Sequence, residues 1–139
     1  MGEIFETPMI VGALDCDALG HMNVAQYFAL CNRNGFAMQE AMGWPAGAEI
    51  EGKKLSFAAV HAECDLVSEV LEGEKVLVRC HVVRIGTRSA DFQHGIVREN
   101  GSVAFTSLWR SACLNLETRR AEEIPPLMRA ALERFLVAA

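Results

Sequence analysis

The residues best suited to chemistry lie close together near the N-terminus, in the segment Asp15-Cys16-Asp17-Ala18-Leu19-Gly20-His21-Met22-Asn23. From Asp17 to Asn23 it places a carboxylate, an imidazole and a carboxamide within seven residues. The segment directly precedes a predicted helix. Helix N-termini present unpaired backbone N–H groups and a partial positive charge, so they favour anionic groups and polarised carbonyls. A carboxylate just upstream of such donors is half of a hydrolytic site.

One long helix is predicted to position this segment. From Val24 onward, apolar residues recur at three- and four-residue steps, and Asn23 is a suitable N-cap. Gly43-Trp44-Pro45 ends the pattern. The preceding residues 4–15 are expected to be mostly extended, and residues 47–54 to form a loop. The stripe expected to face the core is Val24, Phe28, Cys31, Gly35, Met38 and Met42.

The rest of the chain predicts an antiparallel sheet. Strand patterns cover residues 55–70, 76–85, 88–98 and 103–116, with a hairpin signal at Asn100-Gly101. The last strand is apolar on both faces, so both faces should be covered. One core helix covers only one of them, and a second protomer would most economically cover the other. With a short helix after Pro125-Pro126, the prediction is an α+β domain over residues 1–139: a curled antiparallel sheet around one long helix.

Composition excludes several classes of function. A chain of 139 residues is the size of one domain, and its net charge of −5 argues against nucleic acid as a partner. Ten of the thirteen cations are arginines, which suit a phosphorylated small ligand. No signal peptide is recognisable and no apolar run approaches the roughly 20 residues of a membrane span, so we expect a cytoplasmic protein that does not bind membranes. Cysteine and histidine spacings predict neither disulfides nor a metal site.

The pattern Asp15-x-Asp17-x-x-Gly20-His21-x-Asn23-x-x-x-Tyr27, ahead of a long helix and four strands, resembles the hot-dog-fold acyl-CoA thioesterases. Within them it is most similar to the 4-hydroxybenzoyl-CoA thioesterase-type family. The resemblance implies a hot-dog fold and hydrolysis of an acyl-CoA to the free acid and coenzyme A. It implies no cofactor beyond the coenzyme A of the substrate. It also implies a homodimer or homotetramer with the site at a protomer interface.

The same resemblance assigns two main catalytic groups. Asp17 matches the carboxylate that acts as nucleophile or as general base toward water, and the backbone N–H near Val24 matches the oxyanion hole. Donors at a helix terminus are aimed at the charge that develops on a thioester carbonyl. A thiolate leaves readily because a free thiol has a pKa of about 8.5. His21 could orient Asp17 or a water, and Asn23 could donate to a carbonyl or only cap the helix.

Two further groups are candidates for substrate binding. Tyr27 and Phe28 lie one turn into the helix and either line an acyl pocket or pack in the core. The segment Arg84-Ile85-Gly86-Thr87-Arg88-Ser89 is similar to a strand-turn-strand segment that borders coenzyme A in the family. The predicted contacts with coenzyme A there are Arg84, Gly86, Arg88 and Ser89.

Other readings stay open at this point. Asp15 is expected to be structural, and a thiol mechanism at Cys16 lacks an identifiable base. His61, His81 and His94 are expected to be ordinary strand residues. The rival functions are a hot-dog enoyl-CoA hydratase or dehydratase, which needs a different Asp/His arrangement, and a non-catalytic acyl-CoA-binding protein. The acyl group is not determined by the sequence.

Overall fold

The computed structural model describes residues 2–45 and 47–137. The ends of the predicted domain, residues 1–139, lie outside these residues, so its bounds stay a prediction. The described residues form two α-helices, α1 (Val24–Ala41) and α2 (Pro126–Arg134), and a short 3₁₀ helix, Ala13–Asp15. The strands are β1 (Phe5–Ile10), β2 (Glu49–Ile50), β3 (Lys53–Leu66), β4 (Lys75–Ile85), β5 (Ser89–Arg98), β6 (Val103–Asn115) and β7 (Arg120–Ala121).

These strands form one antiparallel sheet that curls around α1. The order is β1-β4-β5-β6-β3-β2, with β7 beside the end of β6. Helix α1 contacts β1, β4 and β5 on the concave face, while α2 packs against β4. The predicted hot-dog fold, with one long central helix and a short C-terminal helix, is confirmed.

The core-facing side of α1 is rotated from the predicted stripe. Cys31 and Met38 are buried as expected, whereas Val24 is 51% exposed. Two polar residues on the buried face, Asn34 and Gln39, explain the difference. Asn34 accepts from the Thr7 hydroxyl over 2.6 Å and donates to the Val78 carbonyl over 3.2 Å. Hydrophobic periodicity overlooks a buried amide whose hydrogen bonds are satisfied in this way.

The four long strands match the prediction to within a few residues, but one local expectation was wrong. Residues 47–54 do not form a loop throughout, because β2 and the start of β3 make a tight hairpin. Its turn residues Glu51 and Gly52 have φ values of 53° and 79°, the left-handed pair that a two-residue turn requires. Residues 4–15 are mostly extended, as expected: β1 spans Phe5–Ile10, Gly12 is still extended, and only Ala13–Asp15 form the 3₁₀ helix.

Strand β3 leaves a long edge open within a single chain. It pairs with β2 only through Lys53 and Lys54, so in the described residues its edge opposite β6 has no partner strand from Leu55 to Leu66. On the second apolar face of β6, Leu108, Ala112 and Leu114 are likewise only half-buried. Among the described residues, no helix is both long enough and apolar enough to cross a bilayer.

Candidate active site

Asp17 lies on a tight turn held to the body of the protein. Its carbonyl accepts from the Gly20 N–H over 3.0 Å and its own N–H donates to the His21 carbonyl over 3.1 Å. Gly20 has a φ of 85°, in the left-handed region that glycine enters without strain. Met22, two residues after Gly20, is fully buried and donates its N–H to the Val70 carbonyl over 2.7 Å. The turn therefore presents the Asp17 side chain from a fixed backbone.

The Asp17 carboxylate is half-exposed and accepts two hydrogen bonds. Oδ1 accepts from the Leu19 N–H and Oδ2 accepts from Asn23 Nδ2, each over 2.9 Å. These two donors, the Leu19 N–H above all, lower the pKa of Asp17 below its ordinary value, and nearby His21 lowers it further. Asp17 is therefore an ionised, oriented carboxylate at neutral pH.

Asn23 joins this carboxylate to the start of α1. Its Oδ1 accepts from the Ala25 N–H over 2.9 Å, which caps the helix. The neighbouring Val24 N–H has no hydrogen-bond acceptor within residues 2–45 and 47–137. An unpaired N–H in the first turn carries the positive end of the helix dipole. The Val24 N–H can donate a hydrogen bond to a polarised carbonyl oxygen.

Asp15 holds the loop to the helix. Its Oδ2 accepts from the Gly12 N–H over 2.8 Å and its Oδ1 accepts from Gln26 Nε2 over 2.6 Å. Its carbonyl also accepts from the Asn23 N–H over 2.8 Å. With both carboxylate oxygens engaged in this way, Asp15 positions the turn on which Asp17 lies.

Of the predicted contacts with coenzyme A, Arg84 and Ser89 are engaged within the sheet. Arg84 donates to both oxygens of buried Asp91, over 3.0 and 3.1 Å, and to the Ser89 hydroxyl over 2.8 Å. A Cβ on Gly86 would lie 2.4 Å from Arg84 Nη1, so the turn passes directly over the guanidinium. Arg88 is exposed at the tip of this turn. Among the four, Arg88 has the position from which a cation can reach a phosphate.

The fold, the carboxylate on its turn and the open helix N-terminus can be compared with known proteins. Residues 11–132 match the family model described as the thioesterase-like superfamily. The chain belongs to this superfamily. Family membership identifies it as a thioester hydrolase. A comparison with curated protein sequences finds no significant match.

Similar solved structures share the fold at low sequence identity. A hypothetical protein of Staphylococcus aureus in complex with CoA has a TM-score of 0.87 and 16% identity, over 97% of this chain and 85% of that one. A 1,4-dihydroxy-2-naphthoyl-CoA thioesterase from Synechocystis has a TM-score of 0.81 and 17% identity, over 94% and 96%. A gentisyl-coenzyme A thioesterase has a TM-score of 0.79 and 21% identity, over 91% and 98%. At these identities the likeness shows the fold.

The two aromatic residues early in α1 of this thioesterase have different surroundings. Tyr27 is 3% exposed and packs against Phe105 with ring centroids 5.1 Å apart. Burial is the main cause that raises the pKa of Tyr27. Phe28 is half-buried and stacks on Trp109 with centroids 6.4 Å apart. It lines an open groove beside α1, so Phe28 faces this groove whereas Tyr27 belongs to the core.

His21 and Cys16 flank the carboxylate without bonding to it. The His21 imidazole is half-buried and makes no hydrogen bond with the residues that the structure describes, so it does not orient Asp17 in this way. Burial, Glu72 and the neighbouring aspartates raise the pKa of the Cys16 thiol, which disfavours the nucleophilic thiolate.

A second polar position is His94, which was predicted to be an ordinary strand residue. His94 is 3% exposed and lines a cavity of about 60 Å³ between α1 and the sheet. Burial lowers its pKa to about 4, so the imidazole is neutral. The signal was present in the alternation of β5, because His94 lies between inward-facing Phe92 and Ile96.

Proposed function

We propose that this protein hydrolyses an acyl-CoA thioester to the free acid and coenzyme A, with Asp17 as the catalytic carboxylate. The observation that carries the proposal is the ionised Asp17 side chain, tied through Asn23 to a helix start whose Val24 N–H has no acceptor in the described residues. A base and an oxyanion donor lie on either side of one capping residue, as hydrolysis of a carbonyl compound requires.

In the proposed reaction the thioester carbonyl oxygen accepts from the Val24 N–H. Asp17 takes a proton from a water molecule as the water oxygen bonds to the carbonyl carbon, and negative charge moves to the carbonyl oxygen. Collapse of this intermediate breaks the carbon–sulfur bond and expels the thiolate of coenzyme A, which is then protonated by Asp17 or solvent. Direct attack by Asp17 would instead form a mixed anhydride. Single turnover in isotopically labelled water that leaves label in Asp17 would show that route.

Coenzyme A is proposed as the carrier because of the turn between β4 and β5 and the family resemblance. Arg88 projects from this turn and is the proposed phosphate contact, while Arg84, Gly86 and Ser89 shape the turn beneath it. The solved relatives include a protein in complex with CoA and two thioesterases named for CoA substrates. A cytoplasmic location stays a prediction.

A homodimer or homotetramer is proposed from the surfaces that one chain leaves open. The unpaired edge of β3 carries apolar Val60 and Leu66, which are 64% and 54% exposed. A long unpaired strand edge on a monomer would be an aggregation hazard. Light scattering during size-exclusion chromatography is expected to give at least twice the 15.2 kDa chain mass. The variant Val60→Lys places a charge on this edge, so it should lower the mass measured in solution. A parent protein that is monomeric would refute the proposal.

The test of the activity is thiol release from a panel of acyl-CoAs. Asp17→Asn keeps an oxygen for the Leu19 N–H, so it should fold, and we expect kcat to fall by roughly 10²–10⁴. Asp15→Asn is the companion variant: because Asp15 only positions the turn, the variant should lower the free energy of unfolding and reduce kcat much less than Asp17→Asn does. An Asp17→Asn variant as active as the parent would show that Asp17 is not catalytic. Hydration of an enoyl-CoA without thiol release would favour a hydratase, and binding without turnover a non-catalytic protein.

A further inference from the structure

One face of α1 runs from the proposed oxyanion site at Val24 to the cavity beside His94. Val24, Phe28, Asn32 and Gly35 follow each other at three- and four-residue steps, so they share this face. The open groove beside Phe28 is walled by Asn32, Ala59 and Trp109, and the same three residues border the cavity. Groove and cavity therefore adjoin along this face of α1, and the groove begins at Phe28, one helical turn beyond Val24.

The cavity is mostly apolar but ends at polar groups. Its volume of about 60 Å³ is that of roughly two water molecules in the liquid. Phe57, Phe92 and Met38 form much of its wall, and buried Ser111 also faces it. Such a space accepts the end of an apolar chain together with one small polar group.

His94 is the polar group with an unmet hydrogen bond. Its ring lies 4.2 Å from that of Trp109, and its Nε2 is 4.0 Å from Cys80 Sγ. Its Nδ1 is buried and has no hydrogen-bond partner among the residues described. An unpartnered buried polar atom is costly. Because a hydroxyl both donates and accepts, it satisfies Nδ1 in either tautomer of the neutral ring.

The length of the groove selects the kind of acyl group. From Val24 to Gly35 is eleven residues, or about 16 Å along the helix axis. A single aromatic ring on the carbonyl is much shorter than this distance. An acyl group whose carbonyl lies at Val24 reaches His94 only as an extended chain.

We propose that this groove and cavity bind an acyl chain with a hydroxyl at its far end, and that the hydroxyl oxygen hydrogen-bonds to His94 Nδ1. The inference rests on the proposed function, since it takes the thioester carbonyl to lie at the Val24 N–H. It makes His94 a residue that determines specificity rather than one that takes part in the reaction.

The first test compares matched substrates. Straight-chain acyl-CoAs of increasing length are assayed beside their terminally hydroxylated counterparts, with benzoyl-CoA and 4-hydroxybenzoyl-CoA as a short aromatic pair. At the length that reaches His94, the hydroxylated chain should have a kcat/KM about tenfold higher, and the aromatic pair should differ little. Equal rates at every length would overturn the proposal and indicate that water alone fills the cavity. A preference confined to the aromatic pair would overturn it as well.

The second test removes the imidazole. In His94→Phe the ratio of kcat/KM for the hydroxylated and plain chains should fall toward one. His81→Phe is the matched control, because His81 lies on the adjacent strand and pairs with outward-facing Gln93. It should keep the preference of the parent. A His94→Phe protein that retains the full preference would refute the assignment.

A third measurement needs no variant and no turnover. Nitrogen NMR of the imidazoles is recorded for the parent with the free hydroxylated acid and with the plain acid. The Nδ1 signal of His94 should shift with the hydroxylated acid only; no shift overturns the inference. If this shift occurs while no acyl-CoA is hydrolysed, the proposed function fails and the binding site stands. If thiol is released without any shift or preference, the inference alone fails.

Discussion

Asn23 donates its side-chain amide to Asp17 Oδ2 over 2.9 Å while its own Oδ1 accepts the Ala25 N–H over the same distance. One side chain therefore orients the carboxylate and caps α1. Neither the N–H of Val24 nor the carboxylate can move far from the other, since both are fixed by Asn23. This pre-organisation is what an oxyanion site requires, because donors must already face the charge before it forms.

The first prediction separates the two contacts of Asn23. Asn23→Ser keeps a capping oxygen but removes the amide donor, so the pKa of Asp17 should rise. In the proposed mechanism Asp17 acts in its ionised form, so its lowered pKa should place the acid limb of kcat/KM below the ordinary 3.8. In the variant this limb should move to higher pH. The measurement is a pH–rate profile, with Asn100→Ser in the distant hairpin as control; an unmoved limb would contradict the coupling.

The second prediction concerns the two arginines of the β4–β5 turn. Arg84→Ala leaves buried Asp91 with only its 3.3 Å contact to Arg110, and we expect a loss of about 1–3 kcal/mol in the free energy of unfolding. Arg88→Ala removes an exposed cation, so it should raise KM for the acyl-CoA with little change in stability. Urea denaturation and steady-state kinetics measure the two effects. The opposite pattern would make Arg84 the phosphate contact.

The fold was predictable because its signals are local. Helix and strand periods differ, and the Asp17–Asn23 motif stands directly before the helix that it caps. Non-local pairings were not predictable. The Arg84–Asp91 ion pair depends on the register of β4 against β5, which shifts at an irregularity between Val82 and Arg84. Likewise, the cavity at His94 forms where β3, β5, β6 and α1 meet, and no spacing within one segment encodes it.

The third prediction follows from the burial of His94. Its pKa falls from the ordinary 6.5 to about 4 on folding. Between these pH values the unfolded chain binds a proton at His94 that the folded protein does not bind. Stability should therefore decline as pH falls from 6.5 toward 4, by at most about 3 kcal/mol from this residue. Urea denaturation of the parent and of His94→Phe measures the difference, and contributions from carboxylates cancel between them. Equal pH dependence in both proteins would show that His94 is not protonated on unfolding in this range.

The last prediction tests the passage from groove to cavity. A Cβ on Gly35 would lie 3.3 Å from His94 Cε1, and the ring is confined by Trp109 on one side and Cys80 on another. The methyl of Gly35→Ala should therefore narrow the entrance. We expect kcat/KM to fall several-fold for the longest chains and to stay unchanged for short ones.

Loss of helix stability would not produce this pattern, since alanine is favoured over glycine inside a helix by about 1 kcal/mol. Gly95→Ala is the matched control, because its Cβ would meet only the Phe105 carbonyl at 3.6 Å. It should leave the chain-length profile of the parent intact. If Gly35→Ala slows short and long substrates equally, the acyl chain does not pass Gly35, and the route along α1 is wrong.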